Sequence, residues 1–261
     1  MIDFEIPAET KAIRAKVRDF VQNECIPAEE TCTAENFDSV LAELRSKARS
    51  QGLWCPFVPT EHGGMGLKPL ANALVQMELG ESFLGALSLN TQGPDDATML
   101  TLLEHGTDFQ KEKYLAPLLD GKKRICYSMT EKAAGADATG MQTTAVLEGD
   151  NWVLNGEKWF SSSASVADIA VVMAKTDPDA PRHEQYSTFI VELPNPGYQI
   201  LRNIETMQPH NDLSLKLGGS HAEVNIENLV VPRENILGGR GKGFAMGQHR
   251  LAYGRLRHGM H

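Results

Sequence analysis

The chain reads as an α+β protein: an all-α N-terminal domain, then an antiparallel β-barrel or sandwich domain, then the first helix of a further helical domain. Three observations predict this. Apolar residues recur at helical spacing as far as Leu119. After Lys123 the period falls to two and β-branched residues take over, and from Gly241 the helical spacing returns. The expected domains are therefore 1–122, 123–238 and 239–261.

In the first segment Ile13, Val17, Phe20 and Val21 share one helical face, and Val40, Leu41, Leu44 and Ala48 share another. Leu70, Leu74 and Met77 form a third face, and Tyr114, Leu115 and Leu118 a fourth. Pro27, Gly52, Pro69, Gly93, Pro94 and Gly106 punctuate these runs. Glu61 to Leu67 is rich in glycine, but no strand precedes it and no Lys-Ser/Thr closes it, so it reads as a structural turn rather than a phosphate loop. In the second segment the strand candidates are Thr144 to Leu147, Trp152 to Leu154, Ile169 to Met173, Thr188 to Val191 and Val224 to Ile226. Short strands at this spacing, with no helical patterns between them, point to an antiparallel barrel or sandwich. The last helix carries Phe244, Met246, Leu251 and Leu256, and the chain ends at His261 with neither a glycine cap nor a proline.

Composition narrows the function. A chain of 261 residues with 41% hydrophobic residues can bury a sizeable core, and its net charge of −9 argues against a nucleic-acid or anionic-membrane surface. No apolar run reaches about 18 residues and the N-terminus lacks a signal-peptide pattern, so a cytoplasmic protein is expected. Cys25, Cys32, Cys55 and Cys126 have neither metal-site nor disulfide-framework spacing and read as reduced thiols. The eight histidines include no His-Glu-x-x-His and no i, i+4 pair with a third ligand, so no metal site is expected and most should have bland, exposed roles. Ser161 to Ser163 lack the flanking glycines of a nucleophile elbow.

The stretch from Tyr127 to Met141 joins an aromatic, two hydroxyls and a small-residue turn with Gly135 and Gly140. Such a backbone can lie close to a flat, phosphate-bearing ligand, although the same composition also makes solvated connections. A second element, Glu157-Lys158-Trp159-Phe160-Ser161-Ser162-Ser163, sets an aromatic pair before a run of hydroxyls.

Tyr-Ser-Met-Thr-Glu, then Gly-Ala-Asp, then Leu-Asn-Gly-Glu-Lys-Trp-Phe-Ser-Ser resembles the flavin-binding signature of the acyl-CoA dehydrogenases, including members with Trp-Trp-Ser-Ser at the second position. The resemblance runs from about Phe4 to the last residue. It departs from the family at Lys132, where proline is usual, at Ala136, where serine is common, and at Phe160, where tryptophan stands. The family has a helical domain, a β-domain and a C-terminal four-helix bundle, so by resemblance this chain is a truncated member that keeps the first two and opens the third.

The resemblance implies FAD across the middle domain. Tyr127, Met129 and Thr130 would lie along the ring, Gly135 and Ala136 would pass the pyrophosphate and the pantetheine, Phe160 would pack on the ring, and Ser162 would reach toward N5. Losing the usual serine at Ala136 should cost about 0.5–1.5 kcal/mol. Gly254 and Arg255 would face the acyl-CoA substrate, with Arg250 and Arg257 completing a cationic cluster. The reaction, α,β-dehydrogenation of an acyl-CoA in fatty-acid β-oxidation, needs a glutamate base. The family takes it from late in the third domain or from the residue before the matching arginine, which here is Gly254. No catalytic residue is therefore expected in this chain, and Glu131 and Asp137 are expected to serve the turn. Electron-transferring flavoprotein is the implied acceptor and a homodimer or homotetramer the implied assembly. Without a bundle to cover it, the last helix should expose Phe244, Met246 and Leu251. A non-catalytic acyl-CoA or partner-binding module, and a related flavin oxidase or monooxygenase, are the alternatives.

Overall fold

The computed structural model describes residues 5–207 and 211–259; these fall into two compact units, one from the described residues of 1–96 and 253–261 and the other from those of 97–252. Their helices, in chain order, are α1 (Ala8–Phe20), α2 (Ile26–Glu29), α3 (Phe37–Ser50), α4 (Pro69–Leu79), α5 (Gly85–Ser88), α6 (Asp95–His105), α7 (Asp108–Gln110), α8 (Ala116–Leu119), α9 (Asp212–Lys216) and α10 (Gly243–His258). Among the described residues no helix is long and apolar enough to cross a membrane.

In the first unit, Val17, Phe20 and Val21 on and after α1 are buried, as are Leu41, Leu44 and Ala48 on α3, so two of the expected faces are core. The α4 face is different. Leu70 and Met77 are exposed, and Ala71, Val75 and Leu79 are buried instead. Both sets are apolar at helical spacing, so periodicity cannot choose between them. Buried Glu78 does: it accepts from Arg14 Nε at 2.5 Å and Arg18 Nε at 2.8 Å, which turns the Ala71/Val75/Leu79 side toward α1. The glycine-rich stretch is a turn closed on itself. Gly64 N donates to Pro59 O, Met65 N to Cys55 O and Gly66 N to Val58 O, so these amides are spent within the chain. At Gly64 a Cβ would stand 2.1 Å from Val58 O, so only glycine fits.

The second unit holds one eight-stranded sheet: β1 (Ile125–Ser128), β2 (Thr144–Glu148), β3 (Asn151–Ser162), β4 (Ile169–Lys175), β5 (Tyr186–Glu192), β6 (Tyr198–Asn203), β7 (His221–Pro232) and β8 (Ile236–Leu237). Its order is β6-β7-β3-β2-β4-β5-β8, with β1 beside β4. The α+β class is as read from sequence. Most pairs are antiparallel, but β1 and β2 each run parallel to β4, which makes the sheet mixed. Strand period reports a half-buried face and carries no information on direction, so this could not be read from the pattern. Trp152 on β3 and Phe189 on β5 are separated by two strands in the sheet, yet their rings lie 5.3 Å apart. The sheet therefore curls around a core of Leu154, Val172, Val191, Val224, Ile226 and Leu229.

Helix α10 is not bare in its first two turns. Met246 is buried with its sulfur against Gly238 and Phe244 stacks on His183 at 4.5 Å, which corrects the expectation that these two lack partners; Leu251, further along, is half-buried. The local reason is that the loop before the helix folds back. Gly241 N donates to Ser187 Oγ, and Gly243 lies so close to Ser187 and Thr188 that a Cβ there would clash, so α10 starts against β5.

Candidate functional site

Every candidate cofactor residue lies in the second unit, on two pieces of chain that β1 and β3 bring side by side. Trp159 N donates to Thr130 O at 2.7 Å, which joins the turn after β1 to the end of β3. Below it, Ser161 Oγ donates to Ser128 Oγ at 2.9 Å, and Ser128 Oγ meets the Tyr198 hydroxyl at 2.7 Å, a buried polar chain that locks the two strands. Burial, with the nearby Cys126 thiol adding to it, pushes the Tyr198 hydroxyl well above its ordinary pKa, so it stays protonated.

The shape of this edge comes from a β-bulge. Early in β3 the even positions Trp152, Leu154 and Lys158 are buried, but Lys158 pairs with Val224 and Ser161 with Ala222, so β3 spends one residue more than β7. The extra residue inverts the alternation. Ser161 and Ser163 turn inward, while Phe160, at φ 53°, presents its ring to solvent at 47% exposure and Ser162 is half-buried beside it. A left-handed non-glycine residue costs about 1–3 kcal/mol and is a feature of functional edges.

Behind the edge stands a buried ion pair. Lys158, 0% exposed, donates to Glu131 Oε1 at 2.8 Å and to Met129 O at 3.0 Å, and Glu131, 2% exposed, also accepts from Gln142 N at 2.5 Å and Thr143 N at 3.0 Å. Burial pushes the Lys158 ammonium down to about 8, opposed by Glu131. Burial would raise Glu131, but Lys158 and the Gln142 amide outweigh it and hold the carboxyl below its ordinary value. One carboxylate thus ties both ends of the turn 131–143 to β3, which is the turn role expected of Glu131; Lys158 was not singled out from sequence, where a lysine in a strand reads as solvated.

Tyr127 and Met129 sit under α10, where a Cβ on Gly247 would lie 3.4 Å from the Tyr127 hydroxyl and 3.7 Å from the Met129 sulfur. The Arg250 guanidinium covers the Tyr127 ring at 4.0 Å and donates to Thr98 Oγ1 at 3.0 Å. Gly135 and Ala136 are exposed, and a Cβ on Gly135 would meet nothing, so the turn offers bare backbone. Asp137 is held by the Thr139 hydroxyl at 2.6 Å and by Arg182 at 2.5 Å. Trp159 lies between Lys132 and Arg202, at 4.9 and 5.5 Å, and both cations pair with Glu223. Lys132 therefore has a local partner where the family has proline. Gly254 and Arg255 fall on the last turns of α10 in the other unit, and the side chain of Arg257 lies outside the described residues.

The edge fits a flat aromatic ligand. Phe160 is 47% exposed, Thr130 and Ser162 are half-buried on the same two pieces of chain, and the exposed Gly135 turn lets a polar chain pass close. His221, which the sequence assigns only a bland role, faces Ser162, with Nδ1 at 2.9 Å from Oγ. Fifty-nine residues separate them, and only the β3/β7 register joins them. Among the described residues one group of potential metal ligands forms: Glu104, His105 and His249. His249 Nδ1 lies 3.0 Å and His105 Nε2 3.8 Å from Glu104 Oε2, an exposed contact between α6 and α10.

Comparison with known proteins defines the class. Residues 7–122 match the acyl-CoA dehydrogenase N-terminal domain and residues 126–217 the acyl-CoA dehydrogenase middle domain. The chain is 35% identical over 260 residues to acyl-CoA dehydrogenase family member 11 of Gallus gallus, covering 94% of this chain and 33% of that protein. It is 34% identical to the solved structure of a putative acyl-CoA dehydrogenase from Mycobacterium abscessus, with a TM-score of 0.89 over 98% of this chain and 67% of that one. An acyl-CoA dehydrogenase of Bacillus anthracis, solved in complex with FAD, is 30% identical with a TM-score of 0.76, over 100% of this chain and 42% of that one. This chain belongs to the acyl-CoA dehydrogenase family. It spans about a third of the length of the Gallus gallus relative.

Proposed function

We propose that this chain holds FAD and an acyl-CoA thioester for α,β-dehydrogenation, and that the chain by itself is catalytically incomplete. The observation that carries the reading is the outward-turned Phe160 ring on the edge where Trp159 N joins Thr130 O and the Ser162 hydroxyl meets His221. The FAD complex of the Bacillus anthracis relative supports the choice of ligand. Bound FAD would supply a two-electron acceptor. Phe160 would cover its ring, Tyr127, Met129 and Thr130 would line it with the Thr130 hydroxyl at its polar edge, Ser162 would reach toward N5, and Gly135 and Ala136 would pass the phosphates and pantetheine. Gly254 and Arg255 would face the thioester; Gly254 has no carboxylate, so this chain offers no base there for the α-proton. The domain boundaries 1–122, 123–238 and 239–261, an electron-transferring flavoprotein as acceptor and a homo-oligomeric assembly belong to the same proposal.

The test is a titration of the 261-residue chain with FAD followed by anaerobic addition of acyl-CoA. One flavin per chain, weakened by Ser162→Ala, and no bleaching on addition of thioester is the expected result. Absence of flavin binding would overturn the reading, and bleaching at an enzyme's ordinary rate would overturn the incompleteness.

A further inference from the structure

The pair formed by Ser162 and His221 is built with more care than an exposed strand end requires. Its two backbones are cross-strand partners. Ser163 N donates to Ser220 O at 2.8 Å, Ser163 Oγ donates to Gly218 O at 2.9 Å, and Ile204 N donates to His221 O at 2.7 Å, so chain on both flanks is fixed. The imidazole stands edge-on to Phe160, ring centroids 6.2 Å apart. Burial holds the His221 pKa below its ordinary value, so at neutral pH the ring is neutral, with one N–H and one bare nitrogen. Among the described residues, Nε2 meets no protein partner, which leaves the choice of tautomer open.

A serine hydroxyl has one hydrogen and two lone pairs. If that hydrogen points at Nδ1, the oxygen can only accept from a third group; if Nδ1 carries the hydrogen and donates to Oγ, the hydroxyl hydrogen is released to donate outward. Without the imidazole, the remaining partner of Ser162 Oγ is Phe160 O at 3.5 Å, too long to hold it. Resting on the reading of this edge as a flavin cradle, we propose that His221 is a positioning residue that sets the direction of the Ser162 hydroxyl, so that one hydroxyl can donate to a bare ring nitrogen and accept from the same nitrogen once it carries hydrogen. The exchange balances: a proton leaves Nδ1 to solvent as Nε2 takes one from solvent, and the imidazole stays neutral. Positions 162 and 221 act as one device.

The experiment compares His221→Leu, His221→Asn, His221→Gln, Ser162→Ala and the Ser162→Ala/His221→Leu double variant in the 261-residue chain, reading FAD affinity and the midpoint potential of bound flavin. Asparagine puts its amide near the Nδ1 position and glutamine near the Nε2 position. The expected result is that His221→Leu and His221→Gln each weaken FAD about threefold to tenfold, the loss of one hydrogen bond. They should also shift the ratio of oxidised to reduced affinities, by about 30 mV for a tenfold change. Ser162→Ala should match them, the double variant should add nothing, and His221→Asn should recover to within about twofold. A purely structural His221 would lower the thermal midpoint and leave the potential alone. If Ser162→Ala shifts the potential and His221→Leu and His221→Gln do not, the inference fails and the flavin reading stands. If neither position affects bound flavin, or the chain takes no FAD, both fall.

Discussion

Replacing Lys158 by methionine removes one charge from a pair whose members are 0% and 2% exposed. At the 2.8 Å separation found here the attraction is about 6 kcal/mol at an effective dielectric of 20, most of it offset by the cost of burying both ions. The two losses differ sharply. The intact pair adds little net stability, but the single change leaves the Glu131 carboxylate buried with only the Gln142 and Thr143 amides, at a cost of about 3–5 kcal/mol. Against a total of about 5–15 kcal/mol, and with an m-value of about 3 kcal/mol/M, the urea midpoint should fall by about 1–1.7 M. Adding Glu131→Gln removes the stranded charge while its carbonyl still accepts one of the two amides, so the double variant should lose only about 1–2 kcal/mol. Lys158→Met losing under about 1 kcal/mol, or the double variant losing the sum of both singles, would refute the argument that one pair anchors the turn.

Phe160→Gly relieves the left-handed backbone at φ 53°, so stability by urea titration should hold or rise by up to about 1 kcal/mol while FAD affinity falls; a clear loss of stability would mean that the ring is core. Gly156→Ala should cost about 2 kcal/mol or more, because its φ is 151° and a Cβ would stand 2.6 Å from Thr143 Cα in the backbone; a neutral variant would show that β2 and β3 can separate freely. Acidification should destabilise the fold in two stages. His221, Glu78 and Glu131 all have folded pKa values below their ordinary 6.5 and 4.5, so the folded state binds fewer protons than the unfolded one. Their stability is present above those values and is lost as pH falls through the lower folded ones. His221→Asn should abolish the first stage, which sets in as pH falls through the ordinary imidazole value of about 6.5, seen in urea midpoints at each pH.

The sequence by itself determined the α+β class, the switch from helical to strand period after Lys123, several helix faces and the family, because each rests on local spacing or on a contiguous motif. It also marked Phe160 and Ser162, though for their resemblance rather than for their geometry. Strict alternation along β3 would have buried both with Trp152, Leu154 and Lys158; only the bulge against β7 turns them outward, and register between distant strands is not encoded in period. Tertiary structure alone chose which apolar face of α4 is core, through Glu78 and its two arginines from another helix. It also decided the roles of Lys158 and His221. A lysine and a histidine have no fixed meaning in a strand, and each acquires one from a partner, Glu131 or Ser162, that folding carries to hydrogen-bond distance across 27 or 59 residues.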